Sequence, residues 1–275
     1  MRFLIMPNIT NPQAEACAEQ IRQMICQAGH EAFLYGEEDA ALLQSVDVAI
    51  VVGGDGTVLR AVRAIHPTDI PIWAVNYGHL GYLTDCEPYA AEEKLQRIFR
   101  KDFRLEKRVM LKGNLTSGTE VTEFFALNEA VIYRSAFCHT LKMRLLVDGT
   151  PIVRVSGDGM LVSTPTGSTA YNLSAGGPIL LPEAVQAVVT PICPHAALCA
   201  PLVVSGNETV TVEVSMAESR SVKESPQLVI DGISRLPLKN GDRVECTISS
   251  ERVRFVRTDE QGFYGRLQTK LAQDY

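Results

Sequence analysis

The segment VDVAIVVGGDGTVLRAVRAI, Val46 to Ile65, constrains the fold more than any other part of the chain. VDVAIVV, an apolar run rich in β-branched residues, reads as a strand. Glycines interrupt the run, TVLRAVRAI reads as a helix, and IPIWAV reads as the next strand. Near the N-terminus, RFLIM reads as another strand and NPQAEACAEQIRQMICQAGH as a helix. Asn11 is its expected N-cap, Pro12 opens it and Gly29 lies past its end. Cys17, Ile21, Met24, Ile25 and Ala28 are its expected buried face. The cycle of strand, turn, helix and strand predicts an α/β N-terminal domain with a Rossmann-like parallel sheet.

The pattern changes after the helical AAEEKLQRIF. EFFALNEAVIY, TLKMRLLVDGTPIVRVSGDG, ETVTVEVSM, PQLVIDG, DRVECTIS and RVRFVRT alternate with period two and are punctuated by DG, NG and SG turns. A β-rich C-terminal domain is therefore expected from residue 101 to 255, after an α/β domain over 1–100.

Composition narrows the function classes. With a net charge of −6 and no Lys/Arg-rich block, binding to nucleic acid or to an anionic membrane is disfavoured. The seven cysteines are scattered without a CxxC spacing, which fits reduced thiols better than a disulfide framework or a zinc site. The absence of a signal-like segment and of any long apolar stretch points to a cytoplasmic protein. Small-molecule chemistry is the remaining expectation.

GGDG places Asp55 between glycines at the carboxyl end of a strand, where open α/β sheets bind ligands. The glycines are expected to allow positive φ and close backbone approach, and the next helix offers N–H groups to a phosphate. A tight strand-to-helix turn with a solvated aspartate would look the same. The spacing is neither that of a P-loop nor that of a dinucleotide fingerprint. NYGHLGYLTD follows a second strand and contributes Asn76 and His79, the latter either a base or an exposed loop residue. In ALNEAVI, Asn128 and Glu129 interrupt an apolar run, so both can face one ligand only at a strand end or bulge. A polar pair at a sheet edge is the alternative.

The most specific stretch is SGDGMLVSTPTGSTAYNLSAGGP, Ser156 to Pro178. Its hydroxyls, with Asp158, Tyr171, Asn172 and Ser174, suit a ribose, an amide or phosphate oxygens. No Lys or Arg occurs from Val155 through Ser219, so a polyphosphate bound here needs a metal or cations from elsewhere.

GGDGT, NYGHLGYLTD, LNEAVI and GDGMLVSTPTGSTAYNLSAGGPI in this order, with TPICPH and PLVV after them, resemble the NAD kinase family. The resemblance implies transfer of the γ-phosphoryl group of ATP to the 2′-hydroxyl of the adenosine ribose of NAD, with a divalent metal, Mg²⁺, assisting. It implies homodimers or homotetramers, and a C-terminal tail, residues 256–275, that returns to the first domain. By motif, Asp55 is the implied catalytic residue, and Gly54 and Thr57 position phosphates. Asp55, Gly56, Asn128, Glu129, Asp158, Thr169, Ala170, Tyr171 and Ser174 are the implied NAD contacts. Ala200 departs from the family, many of whose members carry Arg immediately before PLVV. Two rivals are a lipid kinase of the diacylglycerol or sphingosine type, which shares a GGDGT-like loop, and a regulator that binds NAD or NADP without turnover.

Overall fold

The computed structural model describes residues 1–36, 43–78, 81–134, 140–195, 200–215, 226–258 and 262–273. The chain forms two units: Met1–Lys107 with Val253–Tyr275, and Arg108–Arg252.

In the first unit, β1 (Arg2–Pro7), β2 (Glu31–Leu34), β3 (Val48–Val52) and β4 (Ile72–Val75) form a parallel sheet in the order β2–β1–β3–β4. Phe255 pairs in parallel beside Ile72 of β4. Every residue of β3 is buried, as its unbroken apolar run requires. Phe3, Ile5, Ile50, Trp73 and Val256 share one hydrophobic cluster with helices α1 (Pro12–Gln27) and α3 (Ala91–Phe99). The intervening helix α2 spans Asp55–Ile65. Asn11 caps α1 by accepting the N–H groups of Gln13 and Ala14, and Ala14, Cys17, Ala18, Ile21 and Ile25 are its buried face. Met24 is only half-buried, and Ala28 is exposed at the C-cap, where the helix has ended and Gly29 turns the chain at φ +78°.

The second unit is built from antiparallel strands. They are β5 (Arg104–Ser117), β6 (Glu120–Ala126), β7 (Glu129–Tyr133), β8 (Leu141–Val147), β9 (Thr150–Gly157), β10 (Gly159–Ser163), β11 (Gln186–Ile192), β12 (Leu202–Ser205), β13 (Val210–Ser215), β14 (Gln227–Ile230), β15 (Ser234–Pro237) and β16 (Arg243–Arg257). The segments DRVECTIS and RVRFVRT, separate in the sequence pattern, form the single strand β16. The chain enters the second unit within β5 and leaves it within β16.

One sheet has the order β12–β11–β10–β7–β14–β15, and the other includes β13 between β16 and β8, with β9 at the end. Their facing side chains form one core: Ala130, Ile132, Met160, Val162 and Leu228 from the first, and Leu145, Val155, Val212 and Val244 from the second. Period two then turns Glu129, Val131 and Tyr133 to the opposite face of β7. There Val131 joins Leu161 and Ile192, with Ala175 packed against them. No helix among the described residues is long and apolar enough to cross a membrane.

Candidate active site

Asp55 is the first residue of α2 rather than part of the loop before it. Gly54 acts as N-cap, its carbonyl accepting the N–H groups of Thr57 at 2.8 Å and Val58 at 3.2 Å. The expectation of positive φ at Gly53, Gly54 and Gly56 is corrected, because none of the three adopts it. What Gly53 provides is room: a Cβ there would lie 2.4 Å from Thr57 Oγ1, whereas open space lies around the Cβ positions of Gly54 and Gly56. Thr57 is buried, and its hydroxyl also accepts from Arg60 at 3.3 Å.

The Asp55 carboxylate accepts the backbone N–H groups of Tyr82 at 2.9 Å and Leu83 at 3.1 Å. It lies directly over Gly81, where a Cβ would come within 1.9 Å of Oδ1. The same turn is held by the fully buried Arg257 guanidinium, which donates to the carbonyls of Leu83 and Thr84 at 3.0 Å and to the Glu106 carboxylate at 3.1 Å. Arg257 also donates to the Tyr82 carbonyl at 3.4 Å, so it holds from the carbonyl side the peptide whose Leu83 N–H reaches Asp55, and it holds the two peptides that follow. Asn76 is buried and donates to Glu87 at 2.8 Å, while His79 lies outside the described residues.

In the second unit, β6 stops at Ala126 and β7 starts at Glu129, so Asn128 sits in the break and Glu129 at a strand end. The break is organised by Asp231, whose carboxylate accepts the backbone N–H groups of Leu127, Asn128 and Glu129 at 2.8, 2.8 and 3.0 Å. Glu129 is buried, with no hydrogen-bond partner for Oε2. Burial pushes its carboxyl up to about 8, and the negative charge of Asp231 adds to the effect. An acid group of this kind is suited to a ligand that brings its own polar partners.

The Ser/Thr-rich motif closes around the same break. Thr164 donates its N–H to the Asn128 carbonyl at 2.8 Å and its hydroxyl to the Leu127 carbonyl at 2.6 Å. Gly167 crosses so close that a Cβ would lie 2.2 Å from the Asn128 carbonyl oxygen. Ser168 donates to Pro165 at 2.6 Å, and the buried Asn172 amide donates to Ser168 and Pro178 while accepting from Thr190 at 2.7 Å. Most of these polar side chains thus build the loop. Tyr171 and Ser174 are exposed, Ala170 is half-buried, and Thr169 is buried with its hydroxyl on the Thr166 carbonyl at 3.3 Å. Partial burial raises the Tyr171 phenol, with the charges of Tyr133, Cys193, Asp158 and Glu129 adding to it. Asp158 pairs with Arg134 at 2.6 Å, so tertiary structure brings a cation to a motif that has none of its own. Ala200 is exposed ahead of β12.

Asp231, Arg134 and Arg257 were not identifiable as site residues from the sequence. Asp231 is hidden in a DG turn signal, Arg134 follows an ordinary strand, and Arg257 reads as one of several alternating cations. Among the described residues, no group of three His, Cys, Asp or Glu side chains is placed to hold a metal ion.

Residues 2–103 match the family model of the ATP-NAD kinase N-terminal domain, and residues 127–258 match that of the ATP-NAD kinase C-terminal domain. The chain belongs to the ATP-NAD kinase family. An NAD kinase of Lachnoclostridium phytofermentans is 37% identical over 235 residues, covering 83% of this chain and 81% of that protein. One of Corynebacterium glutamicum is 39% identical over 241 residues, covering 87% and 81%. An Archaeoglobus fulgidus NAD kinase solved in complex with ATP superposes with a TM-score of 0.80 at 25% identity, covering 98% of this chain and 99% of the other. A yeast NADH kinase solved with NADH shares the fold, with a TM-score of 0.89 at 20% identity, covering 99% and 87%. The α/β first unit and the β-rich second unit are therefore the architecture of this kinase family.

Proposed function

We propose that this chain phosphorylates NAD, transferring the γ-phosphoryl group of ATP to the 2′-hydroxyl of the adenosine ribose and producing NADP and ADP. Membership of the ATP-NAD kinase family carries the reading, and the geometry within each unit supports it. Asn128 and Glu129 are assigned to the adenosine end of NAD, with Glu129 Oε2 as the buried polar atom that a ligand group completes. Tyr171, Ser174, Ala170 and Thr169 line the dinucleotide from the loop above the sheet face. Asp158 is assigned to the same ligand, and its pairing with Arg134 holds its carboxylate in place.

A hydroxyl is a weak nucleophile, so the enzyme must align it with the γ-phosphorus and accept its proton. Asp55 is assigned that proton. As the ribose oxygen bonds to phosphorus, the bond between the γ-phosphorus and its bridging oxygen breaks, and ADP leaves. The N–H groups of Tyr82 and Leu83 hold the Asp55 carboxylate during this step, and the open space at Gly54 and Gly56 leaves room for phosphate oxygens beside the N-terminus of α2. Mg²⁺ is assigned to this reaction. Such ions are held largely by substrate phosphates, with one or two carboxylates beside them. When bound, it neutralises charge on the phosphates. Assembly as a homodimer or homotetramer and a cytoplasmic location are part of the same proposal.

The test is direct. Purified protein with NAD, ATP and Mg²⁺ is expected to yield NADP carrying its new phosphate at the 2′ position. Asp55→Asn keeps the shape but cannot take a proton at neutral pH, so kcat should fall by about 10² to 10⁴. Its NAD affinity, measured by calorimetry, should change by less than about tenfold. Folded protein that binds NAD yet forms no NADP with any phosphoryl donor, ATP or polyphosphate, would overturn the assignment in favour of a regulator.

A further inference from the structure

Within the second unit, the sheet containing β16, β13, β8 and β9 turns its outer face away from the core that separates it from Glu129. Register places one charged row across this face: Arg154 opposite Arg144, Arg144 opposite Glu213, and Glu213 opposite Arg243. Lys142, two residues along β8, lies opposite Ser156 on one side and Ser215 on the other. These side chains line a cavity of about 740 Å³.

The charges do not balance. Glu213 is shared between Arg144 at 3.5 Å and Arg243 at 3.7 Å, and Arg243 also reaches Glu245 at 3.4 Å. Lys142 and Arg154 make no ion pair among the described residues. Like charges directly opposite one another, as Arg144 and Arg154 are, destabilise a sheet. In a chain of net charge −6, this concentration of cations runs against the global balance. Ser156 and Ser215 add hydroxyl donors beside Lys142. Guanidinium forks and an ammonium grouped in one concave site match phosphate or carboxylate oxygens, and the Arg154 fork has no carboxylate partner among the described residues.

We propose that this cavity is a binding site for a small molecule carrying two or more anionic groups, phosphate or carboxylate. It uses none of the residues assigned to NAD, ATP or the transferred proton. Lys142, Arg154 and Arg144 supply the charge, and an anion there relieves the repulsion between the two arginines.

Calorimetric titration of the full-length protein with citrate, and separately with inorganic phosphate, tests this at ionic strength held constant with NaCl. The wild type is expected to bind at least one probe, and Lys142→Ala/Arg154→Ala is expected to bind it at least tenfold more weakly. The kcat and the NAD affinity should stay within twofold. Loss confined to citrate identifies a carboxylate ligand, and loss confined to phosphate identifies a phosphate ligand; either supports the site. Arg154→Glu is a second variant, expected to abolish binding of the same probe, should the double variant fail to fold. Equal affinity of wild type and folded variant for both probes, or no binding by the wild type, overturns the proposal. So does a variant whose mass by light scattering changes while its probe affinity does not, because the face is then a subunit contact.

Discussion

Glu129 enters the ligand-free protein as an acid rather than a carboxylate, because desolvation and the nearby charge of Asp231 both oppose ionisation. The consequence for stability has a definite sign. The folded group holds its proton up to about 8, whereas the unfolded group releases it near the ordinary value of 4.5. Between those values the folded state binds more protons than the unfolded state, so stability is highest below the lower pKa and falls as pH rises through the upper one. Glu129→Gln removes this dependence. The melting temperature of the variant is therefore expected to gain on that of the wild type between pH 5 and pH 8.5. A gain of about 2 kcal/mol or more corresponds to roughly 4–8 °C for a chain of this size. Parallel melts that keep the same difference at both pH values would show that Glu129 is ionised when folded. Adding NAD should narrow the gap if Glu129 meets a polar group of that ligand.

The loop from Thr164 to Pro178 shows how an element with little regular structure is made rigid. It has only short helical turns, at Gly167–Thr169 and Tyr171–Ser174, yet Asn172 ties Ser168, Pro178 and Thr190 together from a fully buried position. Truncating that side chain strands several buried polar groups, each costing about 1–3 kcal/mol. Asn172→Ala should lower unfolding stability by roughly 3 kcal/mol, read by denaturant titration. Because Tyr171 and Ser174 flank it, NAD affinity should fall as well. Unchanged NAD binding in a folded Asn172→Ala protein would mean that the loop is rigid without it.

The two units of the molecule depend differently on chain continuity. Arg108–Arg252 is one uninterrupted segment, whereas the first unit is completed by Val253–Tyr275. That returning segment buries Phe255, Val256 and Arg257, and Thr258 donates both its N–H and its hydroxyl to Asp85. Burying Phe255 and Val256 contributes roughly 1.5–3 kcal/mol each, and breaking the buried Arg257–Glu106 pair adds about 3–5 kcal/mol. Their sum approaches the whole stability of a typical domain, about 5–15 kcal/mol. Truncation after Arg252 should therefore remove hydrogen-exchange protection from β1, β3 and β4 while β7, β10 and β14 stay protected. Equal protection throughout would show that the first unit stands without its returning segment.

Local pattern was enough to read the strand at Val48–Val52, the capped helix after Asn11 and part of the second unit's strands, β5, β11, β12 and β15 being missed, because periodicity and capping act over neighbouring residues. The DG turn at Asp148–Gly149 was legible for the same reason, both residues adopting the positive φ such hairpins demand. The motif order also sufficed to reach the family. What the sequence could not supply was the partner of each group. Asp231 lies about a hundred positions from the N–H groups it orders, and Arg257 farther still from the turn beneath Asp55. A hydroxyl-rich stretch looks the same whether it faces a ligand or its own backbone, and only folding showed that Thr164, Ser168 and Asn172 face inward. Likewise no local rule places Glu129 beside Asp231. Its raised pKa arises from burial and from a charge on another strand's end, and both exist only once the sheet has formed.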